Sequence, residues 1–123
     1  MIKKVFIIPA LIAVLWVALV YTAHAETRVY VHFFVVPIPS QDGTKDEMAA
    51  LRRKLIELAG GYTELGMAQG GSQEEDGSLE TSYSMAFIVS ASRNITADLE
   101  EYVPLHFPVQ KPFILVWQAG LNQ

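Results

Sequence analysis

The stretch GGYTELGMAQGG, Gly60–Gly71, holds five of the chain's eight glycines. Such a stretch is either a loop that cradles phosphate or the punctuation between elements of a small fold. Gly61 and Gly66 stand at the outer positions of G-x-x-x-x-G. Met67-Ala68 then occupies the place where a phosphate loop needs Lys followed by Ser or Thr. A dinucleotide fingerprint needs its glycines on a strand-to-helix turn, with the helix N-terminus aimed at the phosphates. Here the glycines follow a helical pattern and lead into an extended one, so they punctuate. Gly60-Gly61 stops a helix, Tyr62–Met67 is a short strand, and Gly70-Gly71 opens a polar loop, QGGSQEEDGS, 69–78.

Upstream, Thr44-Lys45-Asp46-Glu47 fits a capping box, with the Thr44 hydroxyl at the N-cap and Glu47 at N3. Met48, Leu51, Leu55 and Leu58 recur at helical spacing, and Arg52, Arg53, Lys54 and Glu57 form the wet side. Before that helix, Thr27–Val36 (TRVYVHFFVV) is β-branched and aromatic and ends at Pro37 and Pro39, which predicts a strand. Val29, Val31, Phe33 and Val35 share one face; Arg28, Tyr30, His32 and Phe34 share the other.

Downstream, Leu79–Ala91 (LETSYSMAFIVSA) predicts a third strand. Tyr83, Met85, Phe87 and Val89 alternate with Ser82, Ser84, Ala86 and Ile88, and Asp76-Gly77 lies near the hairpin turn. Asn94–His106 predicts a second helix, capped by Asn94 or Thr96 and ended or kinked at Pro104. Pro112–Ala119 (PFILVWQA) predicts a final strand. The order β-α-β-β-α-β is the split βαβ, or ferredoxin-like, pattern. It predicts an α+β fold: a four-stranded antiparallel sheet with both helices on one face. The expected core is Val29, Val31, Phe33, Val35, Met48, Leu51, Leu55, Leu58, Leu65, Met85, Phe87, Val89, Leu99 and the last strand.

The first 25 residues have a different character. Lys3 and Lys4 precede an apolar run from Val5 to about Ala23, which closes in Ala23-His24-Ala25. That is the layout of a secretory signal peptide with a small-residue cleavage site. The run of about 19 residues is also roughly long enough to span a bilayer, so the alternative is an uncleaved anchor formed by residues 5–23. Either way the rest of the chain is expected outside the cytoplasm, periplasmic or extracellular, because Lys3 and Lys4 stay inside. Residues 26–123 then suit a single α+β domain.

The full chain has a net charge of −4, from 9 basic and 13 acidic residues; without Lys3 and Lys4 it is −6. An acidic domain without a basic cluster argues against nucleic acid and against anionic membrane surfaces. The absence of cysteine excludes thiol catalysis and thiolate zinc sites. His32 and His106 are too far apart for a recognisable zinc motif. The acidic group Glu74, Glu75, Asp76 and Glu80 lacks the EF-hand spacing, so no metal and no other cofactor is expected.

The candidate site is the sheet face opposite the helices. Tyr30, His32 and Phe34 should lie there with Tyr62 and Glu64 from the second strand and Ser82 and Ser84 from the third. Such a face needs a cover, and a second protomer making a homodimer is the expected one. The alternative is a small enzyme that uses His32 as acid/base in a sheet-lined pocket, with Glu64 or Tyr30 assisting. No serine lies in a nucleophile-elbow motif. Asn94-Ile95-Thr96 matches a glycosylation sequon, but as a helix-cap segment it already has a structural role.

TRVYVHFF, the capped helix, GGYTELG, the DG turn before LETSYSMAFIVSA, and HF-P-V-Q-K-PFILVW together resemble a group of small, mostly bacterial ferredoxin-like domains of unknown function. The matching positions are Gly60-Gly61, Thr63, Gly70-Gly71, Glu80, Phe107 and Gln110. Ser72 departs from the pattern, which usually has an aromatic there. More distantly, the layout is similar to the dimeric α+β barrel proteins, in which two open sheets pack face to face. That resemblance implies a dimer and carries no catalytic residues. The expected role is an exported binding or interaction module for a small-molecule or protein ligand, self-associating through its open sheet face. Membrane contact is expected only through an uncleaved N-terminal segment.

Overall fold

A computed structural model describes residues 27–39 and 44–122. The signal-peptide or anchor segment, residues 1–25, lies outside them. Arg28–Ala119 form a compact unit that carries the fold.

The elements run β1 (Thr27–Pro37), α1 (Lys45–Ala59), β2 (Thr63–Gln73), β3 (Leu79–Ala91), α2 (Thr96–His106) and β4 (Ile114–Leu121). The strands form an antiparallel sheet in the order β2-β3-β1-β4, the ferredoxin-like arrangement. Among the described residues no helix is long and apolar enough to cross a membrane.

α1 buries Met48, Leu51 and Leu55, the stripe its periodicity predicts, and Leu58 packs against the same core. The expected capping box does not close: the helix has no side-chain cap hydrogen bond, and its first turn is tied by Met48 N–H donating to the Thr44 carbonyl at 2.8 Å. At the other end Gly60 adopts φ 83° and donates its N–H to the Ile56 carbonyl. A side chain there would strain the left-handed backbone, so the helix stops where the Gly-Gly pair stands. α2 ends at His106 as expected, with Pro104 inside its last turn, and it closes with Phe107 N–H on the Val103 carbonyl. Pro104 costs one helical hydrogen bond close to the end, where it is tolerated.

Three expectations about faces are corrected. On β1 the side fully buried against the helices is His32, Phe34 and Val36; Val31 is buried too, on the other side. Phe34 and Val36 belong to the main core, stacked with Phe87 across the ladder (Phe34–Phe87 ring centroids 5.2 Å apart). Phe34 pairs with Phe87 and His32 with Val89. Opposite residues of an antiparallel pair share a face, so β3 dictates which side of β1 meets the helices. Val29, Val31, Phe33 and Val35 point the other way.

On β2 a bulge at Leu65 separates the pair Glu64↔Phe87 from Gly66↔Ala86. Gly66 sits at φ 103°, the conformation such a bulge demands. One extra residue reverses the alternation, which leaves Leu65 exposed and puts Thr63 away from the helices. β2 also continues to Gln73, so Gly70-Gly71 lies in the ladder opposite Ser82 and Thr81 rather than in a loop. On β4, Ile114 packs against the core, whereas Leu115, Val116 and Trp117 are exposed. The last strand is therefore an edge with one anchored end, not a core strand.

Candidate functional site

His32 is fully buried, and both ring nitrogens are occupied. Nδ1–H donates to the Val89 carbonyl at 3.1 Å, and Nε2 accepts the Ile95 N–H at 3.0 Å. Those partners fix the tautomer. Asn94 Oδ1 lies 3.4 Å from Nε2, but two acceptors do not bond. The Asn94 oxygen instead takes the Thr96 N–H (2.9 Å) and the Thr96 hydroxyl (2.6 Å). Asn94 thus caps the start of α2. His32 satisfies the next amide, Ile95, whose side chain is itself buried. The imidazole fastens β1 and β3 to the N-terminus of α2.

The two residues proposed to assist His32 go elsewhere. Glu64 lies on the helix side of the sheet, where its Oε1 accepts from Arg52 Nε of α1 at 2.9 Å. That hydrogen bond, ahead of the charge attraction, raises the Arg52 guanidinium above its ordinary value. The Tyr30 hydroxyl accepts from Gln118 Nε2 of β4 at 3.1 Å. Each of the three is thus committed to a different element. Tyr62 also turns to the helix side, edge-on to Phe87. Of the seven residues expected on the open face, Ser82 and Ser84 lie on it, by register with Ala86 and Ile88. Tyr30, His32, Phe34, Tyr62 and Glu64 do not.

What does lie there is apolar. Phe33 pairs with Ile88, Val35 with Ala86 and Val31 with Ser90, all pointing away from the helices. Phe113 meets Phe33 edge to face, centroids 6.5 Å apart. Leu115 and Trp117 alternate with the core-facing Ile114 and fall on the same outer side. Phe113, Leu115 and Trp117 are 56%, 49% and 45% exposed. Side chains of this size bury about 150–250 Å² each when covered, so these three alone present roughly 300 Å² of apolar surface. The alternation on β1 was too even to reveal this: both faces carry large apolar residues, and only the pairing with β3 distinguishes them.

Charged groups pair at the β2–β3 hairpin and at the start of α2. Glu74 is raised above the usual glutamate range, chiefly by its hydrogen bond with Glu80, while Asp76 is lowered by the Ser78 hydroxyl and amide that bond it at 2.5 and 2.9 Å. These two groups sit at the hairpin turn between β2 and β3, where the Glu74 N–H bonds the Ser78 carbonyl. Asp98 is held below the usual aspartate range by the Arg93 guanidinium at 2.7 Å. Among the described residues no group of three or more acidic or histidine side chains is placed to hold a metal ion.

With this geometry the chain is similar in fold to a crystal structure of CutA from the plant-pathogenic bacterium Xylella fastidiosa. The TM-score is 0.58, at 20% sequence identity, covering 77% of this chain and 86% of that one. At that identity the likeness speaks for the fold alone. No protein-family model and no curated protein sequence matches the chain.

Proposed function

We propose that the protein is an exported, non-enzymatic interaction module that self-associates through the outer face of its sheet. One observation carries this reading: β1, β3 and β4 offer Phe33, Ile88, Phe113, Leu115 and Trp117 on a single surface with no charged side chain among them. An exposed apolar patch of about 300–600 Å² is the largest a typical monomer carries, and such patches are often functional. A second copy fits because it brings the same uncharged surface in the same shape, and a twofold arrangement lets each patch cover the other. Export is supported by the n-region, apolar run and small-residue site of residues 1–25. The engagement of His32 by Val89 and Ile95 supports a role other than acid/base chemistry.

The test is sedimentation or light scattering of the chain from residue 26 at micromolar concentration, beside Trp117→Glu. A dimeric parent and a monomeric, normally folded variant are expected. A monomeric parent would sink the proposal. Mass spectrometry of the exported chain decides cleavage after Ala25.

A further inference from the structure

The cleft between α1 and the sheet has a composition unlike the outer face. It measures about 350 Å³, with a floor of Ile38, Met48, Met67 and Met85 and a rim of Lys45 and Arg52. Three elements and the end of β1 build it. Lys45, Met48 and Arg52 fall at i, i+3 and i+7 of α1, one helix face. Met67 and Met85 are cross-strand partners; Met85 shares the helix side of β3 with Phe87, and the bulge at Leu65 turns Met67 to the same side. Met67 remains 51% exposed.

We propose that this cleft binds a small apolar carboxylate, a short aliphatic or aryl monoacid. Its volume lies at the lower end of small-ligand sites, which are mainly apolar with a few placed polar groups. Unbranched thioether side chains adapt to an irregular apolar tail. The charge selects an anion. Lys45 and Arg52 contribute two positive charges and Glu64, bound to Arg52, one negative, leaving a local excess of +1 in a chain of net −4. Asp46 and Glu47 of the same turn do not line the cleft. Glu64 takes the Arg52 Nε, and the two Nη nitrogens make no other hydrogen bond among the described residues. They are the fork that receives a carboxylate. A nucleotide carries several phosphate charges, more than a single excess positive charge balances, and needs more room. A cationic amphiphile meets the wrong charge.

The test uses hexanoate as the anionic probe and hexylammonium as its cationic counterpart. Each is titrated into the full chain labelled with ¹³C at the methionine methyl groups. Hexanoate is expected to shift the Met48, Met67 and Met85 methyl signals saturably, and hexylammonium is not. Arg52→Gln and Lys45→Gln should each raise the hexanoate Kd about tenfold, the scale of one charge-assisted hydrogen bond. Circular dichroism of each unliganded variant, matched to the parent, reports that it is folded. Equal shifts by both probes, non-saturating shifts, or unchanged Kd in both variants overturns the proposal. Lys45 is exposed at the start of α1, so its variant keeps the test decisive if Arg52→Gln disturbs the fold. The readout is independent of self-association, which uses the opposite face of the sheet.

Discussion

The two faces of β1 are alternate residues of one strand, and they meet opposite fates. His32, Phe34 and Val36 are wholly buried under the helices, while Phe33 and Val35 look outward among partly exposed neighbours. Hydrophobicity does not separate them, since the outward face is more uniformly apolar than the inward one. Partner geometry does. Phe34 stacks on Phe87, and His32 finds one acceptor and one donor at the start of α2. A polar ring can sit in a core when both nitrogens are satisfied, and an apolar row can face outward when another surface covers it.

The sharpest way to break the comparison is to truncate adjacent phenylalanines. Phe34→Ala should destabilise the domain by about 3–5 kcal/mol, from lost burial plus a cavity. Phe33→Ala should cost much less in chemical denaturation at low protein concentration, and its effect should grow with concentration if the outer face is an interface. Equal losses for the two would erase the distinction between the faces. His32→Ala comes next, at about 2–4 kcal/mol, because the Val89 carbonyl and the Ile95 amide lose a buried partner. Amide exchange should speed up first at Ile95 and Thr96. Slow exchange there in the variant would show that His32 does not hold the start of α2.

Gly66→Ala probes what keeps Glu64 and Met67 on the helix side. A Cβ at Gly66 would meet nothing within 4 Å, so the cost is confined to the backbone at φ 103° and should be about 1–2 kcal/mol. No change in denaturation midpoint would mean the bulge relaxes without cost.

The smallest effect is electrostatic. Asp98 is depressed by Arg93, so its contribution is present above the ordinary aspartate value and fades as pH falls through the lower, folded one. The pair is largely solvated. Asp98→Asn should therefore cost a few tenths of a kcal/mol at pH 7. The difference from the parent should shrink as pH falls below the ordinary aspartate value. Glu74 has the opposite sign: its raised value favours the fold below the ordinary glutamate range, and this is lost as pH rises. A pH-independent difference between the parent and Asp98→Asn would remove the ion pair from the account.

Much of the architecture was legible in the residues. The Met48, Leu51, Leu55 stripe, the Gly60 stop, the third strand's Phe87/Val89 face and the element order all stand where their local patterns put them. Local signals suffice there because a helix stripe or a terminal glycine needs no distant partner to be read. The faces of β1 and β2 did need one. Strand alternation gives two sets and leaves the choice between them to pairing, and a single bulge residue inverts it. That is why the site was placed on Tyr30, His32, Phe34 and Glu64, whereas the outward surface is built from Phe33, Phe113, Leu115 and Trp117. The aromatic and aliphatic residues before and within β4 were visible as an apolar run, but edge position decides that half of them stay uncovered.

The hydrogen bonds of His32 span 57 and 63 residues of chain. During synthesis at about 5–20 residues per second, the ring waits roughly 3–13 s for its partners to be made. Through that interval β1 has neither β3 to pair with nor α2 to hold. It remains an extended apolar strand with an unpartnered imidazole, and it is then at its most exposed to chaperones or to another nascent copy. The last contacts to be translated are those that close the first strand.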